Sequence, residues 1–88
     1  MKYRLIRFSP NGEVALDKKL PAPNAAGDNV IWQQAYGGTA MLYDYDEKRW
    51  YELNTQKAVR VGVTWTYFNT DKQELPKYIN MLSLVGAL

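Results

Sequence analysis

Strict alternation of apolar and polar positions is sustained longest over residues 58–68. Val59, Val61, Val63, Trp65 and Tyr67 fall on one side, and Ala58, Arg60, Gly62, Thr64 and Thr66 on the other. A repeat of two places successive side chains on opposite faces of an extended chain, so the stretch predicts a half-buried strand whose Val–Trp–Tyr face enters the core. From Asn69 the period lengthens. Leu75, Tyr78, Ile79, Leu82 and Val85 recur at helical spacing with Lys77, Asn80 and Ser83 opposite, which predicts an amphipathic helix over 75–86. Pro76 suits its first turn, where the missing N–H costs nothing. Thr70–Glu74 supplies capping oxygens and negative charge, and Gly86 is the stop.

Closer to the N-terminus, β-branched and aromatic residues over 2–8 predict a strand, Ser9-Pro10-Asn11-Gly12 a turn, and 13–17 the returning strand. Tyr3 and Leu5 lie on one face of the first strand, Ile6 and Phe8 on the other. Either both faces are covered or a bulge shifts the register between Leu5 and Ile6. Residues 18–29 carry Pro21 and Pro23, which fit neither a helix interior nor a central strand, so this long stretch reads as a crossover between hairpins. Gly37-Gly38 between 30–36 and 39–45 predicts a tight hairpin of two strands. A short helix over 30–36, capped by Asn29 and ended by Gly37, is the rival for the first of them. Asp46-Glu47-Lys48 turns into a strand over 49–53, and 54–57 turns again before 58–68. The fold class is α+β: one domain over 1–88, an antiparallel β-meander of five to six strands with one C-terminal α-helix packed on one face.

Composition narrows the chemistry. The 88 residues contain no cysteine and no histidine. Disulfides, zinc ribbons, iron–sulfur clusters, thiol nucleophiles and Ser-His-Asp machinery are thereby excluded, along with the commonest general base near neutral pH. A domain of this size buries only about 60–65% of its unfolded surface, so its stability margin is thin. Eleven basic against nine acidic residues give a net charge of +2, mild for a domain that tracks phosphate backbones. Lys2, Arg4 and Arg7 interrupt the N-terminal apolar residues, which argues against a signal peptide, and no apolar run reaches the about 20 residues of a membrane span. A cytoplasmic protein is the expectation.

The acidic segment Asp44–Glu47 fails as a calcium loop, since the required Gly and Glu positions counted from Asp44 are Arg49 and Thr55. Asp44 and Glu52 could face each other across the hairpin, yet so short a chain leaves little material for a cleft around them. Gly37-Gly38-Thr39 lacks the spacing and the Lys of a phosphate loop. Neither a catalytic residue, a cofactor nor a metal ligand set emerges, and the expectation is a non-enzyme.

What stands out is the aromatic content: seven Tyr, three Trp and two Phe. Exposed Tyr and Trp beside Arg are used both by protein-binding hot spots and by base-stacking platforms. Trp65 and Tyr67 are assigned to the core with the Val face, whereas Tyr45, Tyr51 and Phe68 are divided between core and surface. Arg60–Phe68 is not an RNA-recognition-motif strand, because its Gly and aromatics fall at the wrong offsets and the βαββαβ order is absent. The favoured reading is a small binding module acting on a protein partner. In size and composition it is similar to phage accessory proteins that inhibit a host factor. The contact surface would comprise Arg60, Thr64 and Thr66 with Tyr45 and Tyr51 at the rim. A second reading is RNA or single-stranded DNA binding through Lys2, Arg4, Arg7, Lys18, Lys19 and Arg60. A third is an oligomeric structural subunit that pairs copies through an edge strand or through the apolar Met81–Leu88.

Overall fold

The computed structural model describes residues 2–21, 33, 36–59 and 62–88, and their side chains except at 54–59 and 62–64. Its sheet contains β1 (Tyr3–Phe8), β2 (Val14–Leu20), β3 (Thr39–Asp44), β4 (Arg49–Val59) and β5 (Gly62–Tyr67), followed by one helix, α1 (Lys77–Leu84). The order across the five-stranded sheet is β2-β1-β3-β4-β5, and every neighbouring pair is antiparallel. The α+β architecture expected from the pattern is the one observed. β2 and β3 flank β1, so their connection is a crossover, as the prolines at 21 and 23 suggest.

The first hairpin turns at Pro10–Gly12, where Gly12 takes a φ of +86° that a side chain would resist. Ser9 closes it by accepting the Gly12 N–H at 2.9 Å through its carbonyl and donating its hydroxyl to the Asn11 side chain. β1 contributes to two cores at once. Leu5 and Ile6, adjacent in sequence, are both fully buried, Leu5 on one face and Ile6 on the other. Both faces are covered, then, and the irregularity lies elsewhere: Arg7 pairs with Leu16 but Phe8 with Val14, leaving Ala15 as an extra residue in β2.

Four elements differ from the sequence reading. β2 runs to Leu20 rather than ending at residue 17, because pairing with Tyr3–Leu5 of β1 keeps Lys18–Leu20 extended. Residues 54–57 do not turn; β4 continues to Val59, with a register shift against β5 between Asn54 and Val59. The strand expected over 58–68 is therefore divided, its first two residues belonging to β4 and its main part to β5. Pairing with a neighbour outweighs the weak strand preference of Asn, Gln and Lys, because β-propensity depends on context. Over 30–36, Gln33 and Tyr36 are helical, and the Gly37 N–H reaches the Gln33 carbonyl at 2.8 Å, one helical turn back. Gly37 ends that turn with a φ of +71°, the role the rival reading gave it. The other residues of 30–36 lie outside the described ones. Finally, α1 is shorter than 75–86, and Val85, expected in the core, caps its C-terminus and is exposed.

One face of the sheet carries α1. Ile6, Phe8, Met41, Trp50 and Phe68 meet Ile79 and Leu82 of the helix, with Tyr43, Leu75, Tyr78 and Leu88 packed around them. The helix is also fastened by charge. Arg4 donates from Nε and Nη2 to the two carboxylate oxygens of Asp17, each at 2.8 Å, and from Nη1 to the Ala87 carbonyl at 2.6 Å. The Tyr78 hydroxyl donates to Asp17 Oδ2 at 2.6 Å, which ties β1, β2, α1 and the C-terminal segment together. The Arg4 guanidinium holds the Asp17 carboxyl below its ordinary range against the opposing effect of burial, and Tyr78 assists by its hydrogen bond. Reciprocally, the Asp17 acceptor raises the Tyr78 phenol.

The opposite face has its own cluster, Leu5, Ala40, Leu42 and Leu53, with Tyr3, Leu16, Leu20, Tyr51 and Trp65 against it. Along β1, β3 and β4 these residues alternate with the first set, as the register requires.

Candidate functional site

The β3–β4 connection organises one end of this second face. Asp44 is buried at the end of β3, and its Oδ1 accepts the backbone N–H groups of Asp46 and Glu47 at 2.9 and 3.2 Å. Its carbonyl accepts the Lys48 N–H at 2.7 Å, and Lys48 takes the left-handed φ of +56° that lets the chain re-enter as β4. Such side chain to backbone bonding is why Asp favours turns. The acidic segment thus has a structural use: Asp44 shapes the turn, Asp46 pairs with Lys2 at 3.2 Å, and Glu47 accepts the Tyr51 hydroxyl at 2.8 Å.

Because the turn fixes the start of β4, Arg49, Tyr51 and Leu53 all project to the second face. Pairing with β5 then sets Tyr51 beside Tyr67 and Leu53 beside Trp65. The Tyr51 and Tyr67 rings meet edge to face, their centroids 6.2 Å apart at 71°. The Arg49 guanidinium lies 4.9 Å from the centroid of Tyr67, which remains 48% exposed. Tyr3 on β1 and Trp65 on β5 complete a row of aromatic residues across the sheet. Between them lies a pocket of about 250 Å³, lined by Tyr3, Leu42, Asp44, Glu47, Tyr51 and Trp65. The indole Nε1 of Trp65 is buried with no acceptor among the described residues. A larger hollow of about 520 Å³ is lined, among the described residues, by Thr70–Leu75 and Asn80, a single loop and the helix beside it, and brings no aromatic group together from among them.

The residues expected at a protein-binding surface are not brought together. Tyr51 projects to the second face, whereas Tyr45 lies by the first: its ring meets that of Tyr43 edge to face at 5.0 Å, and Lys19 Nζ lies 5.7 Å from its centroid. Thr66 is exposed and opposes Glu52 on the helix-bearing face. Thr64 is on that face by register, its side chain being outside the described set, and Arg60 lies outside the described residues. Asp44 and Glu52 are likewise on opposite faces, so they form no facing carboxylate pair.

The expected nucleic-acid residues are divided too. Arg4 and Lys19 project to the helix face, Arg7 and Lys18 to the other, and Lys2 is paired with Asp46. The charge on Arg4 is committed to Asp17 and the C-terminal segment.

Residues that sequence reasoning missed are Arg49, Tyr67, Trp65 and Tyr3. Tyr67 and Trp65 share a face as expected, but β5 is the outermost strand and Tyr67 stands at its end, so the ring is half open. Strand order alone decides that, and no local signal carries it. Phe68, left undecided by the sequence, is buried on the helix side.

Comparison with protein-family models, with curated proteins and with solved structures finds no match to this chain. Among the described residues no helix is long and apolar enough to cross a membrane.

Proposed function

We propose that the protein is a binding module that docks on another protein through the turn end of its second face, where Arg49, Tyr51, Trp65 and Tyr67 meet. The observation that carries this reading is the Arg49 guanidinium stacked over the half-exposed Tyr67 ring beside Tyr51. Tyr, Trp and Arg are the residues enriched at the energetic centres of protein interfaces, since they offer large contact area at low rotamer cost. The fold offers less to nucleic acid. A backbone-tracking surface needs several free cations on one face, and those expected here divide between two faces, with two of them engaged by carboxylates. Nothing in the fold bears on the inhibitory or phage-type part of the expectation.

The test is capture from a nuclease-treated extract of the source cells on immobilised protein, compared with an Arg49→Ala/Tyr67→Ala variant. Capture of a discrete protein by the wild type and its loss in the folded variant is the expected result. Equal capture by both overturns the surface. Salt-sensitive binding of random single-stranded RNA or DNA, with no protein captured, would replace this reading by the nucleic-acid one.

A further inference from the structure

Resting on that reading, we infer that the pocket bounded by Tyr3, Tyr51 and Trp65 receives a basic side chain, arginine or lysine, from the docking partner. At about 250 Å³ the pocket falls below the range of about 300–1,000 Å³ typical of small-molecule sites, so it suits one long side chain better than a cofactor. Its walls and its polar groups name the chemistry. Three aromatic rings and Leu42 offer an apolar lining, Asp44 and Glu47 supply two carboxylates, and no cation is among the described lining residues. Lysine and arginine combine an apolar stem with a charged head, and that head is attracted both to ring faces and to carboxylate. An acidic side chain would meet two like charges here.

Both carboxylates keep acceptor capacity. Asp44 Oδ1 already serves two backbone N–H groups, and Glu47 Oε2 serves the Tyr51 hydroxyl with the Arg49 Nε 3.9 Å from the same oxygen. A carboxylate offers about four lone-pair sites, which leaves room on each for a further donor.

The protein's own cations show that this rim favours positive charge. On the β1 side, Lys2 Nζ lies 5.8 Å from the Tyr3 centroid while pairing with Asp46. On the β5 side, Arg49 covers Tyr67. The hydrogen bond to the Asp46 carboxylate is the chief cause that raises the pKa of the Lys2 ammonium. In sheet order the pocket lies between these two cation–aromatic pairs. An incoming basic side chain would extend a row that already exists, competing with Arg49 for Glu47 and with Lys2 for the Tyr3 ring.

The experiment follows the Trp65 indole N–H by NMR, assigned with Trp65→Phe. The full chain is titrated with N-acetyl-arginine methylamide, N-acetyl-lysine methylamide and the neutral N-acetyl-norleucine methylamide at constant ionic strength. Saturable shifts in the millimolar range with at least one basic amide, and at least tenfold weaker response to norleucine, are expected. Glu47→Gln should weaken the basic amide at least threefold, whereas Lys2→Gln should tighten it. Whichever basic amide binds identifies the preferred head group. Equal response to norleucine, or no saturable shift with either basic amide, overturns the inference. If capture of the partner still requires Arg49 and Tyr67 in that case, the docking face stands and only the cation pocket falls.

Discussion

The two faces of the sheet are built from the same residue classes and put them to different uses. On the helix face, large apolar side chains interlock with α1, and polar groups there serve cohesion: Arg4, Asp17 and Tyr78 bond to one another and to the C-terminal segment. On the other face, the interior cluster is smaller, and toward the β3–β4 turn the aromatic side chains become half exposed and partner with cations. The same residue types are therefore core filler where a helix covers them and stay accessible where a strand end leaves them open, and it is on that accessibility that the proposed contact surface rests. What separates the two regions is cover.

Removing cover-dependent packing should have the largest effect. Ile79 is fully buried at the centre of the helix contact. Ile79→Ala should lower stability by about 2–5 kcal/mol, a large share of the about 4–13 kcal/mol expected for a domain of this length, as measured by urea unfolding. A loss below about 1 kcal/mol would mean that α1 is not integral to the core.

The charge clamp comes next, and its signature is pH. Asp17 has a folded pKa below its unfolded value, so it stabilises the fold above the unfolded value of about 3.9. That contribution is lost as the pH falls toward and through the folded pKa. Unfolding midpoints at pH 6 and pH 3 should therefore differ more for the wild type than for Arg4→Met. In the variant the carboxyl lacks its guanidinium partner and the pKa difference shrinks. An identical pH dependence in both would show that the pair does not couple to folding.

Much of this division was legible in the chain. The helical spacing of Leu75, Tyr78, Ile79 and Leu82 and the turn residues at 9–12 located α1 and the first hairpin, because each signal is local. Leu5 and Ile6, apolar at adjacent strand positions, allowed either two covered faces or a bulge between them, and the burial of both side chains decides for the first. The length of β4 was not legible, since polar residues at 54–57 imitate a turn, yet the strand runs on through them and pairs with β5 at Asn54 and again at Val59. The site was less legible still. Tyr45 and Tyr51 are equivalent in sequence, yet β3–β4 register sends them to opposite faces, and Arg49 meets Tyr67 only because β4 and β5 are neighbours. Contacts between strands set that geometry.

The smallest effect on stability is expected at the docking face. Arg49 and Tyr67 are exposed or half exposed, and replacing both by Ala should cost less than about 1 kcal/mol in the same urea assay. The contrast with Ile79→Ala sharpens the distinction between a covered face that holds the fold and an open end proposed to meet a partner. A cost as large as that of Ile79→Ala would erase it.

Amide hydrogen exchange of the wild-type protein, free and bound to its captured partner, tests the docking face most directly. Added protection should concentrate in peptides covering 45–53 and 62–68, the turn and strands that carry Glu47, Arg49, Tyr51, Trp65 and Tyr67. Protection confined to 77–88 or to 14–20, with the turn unchanged, would place the partner elsewhere and contradict the account.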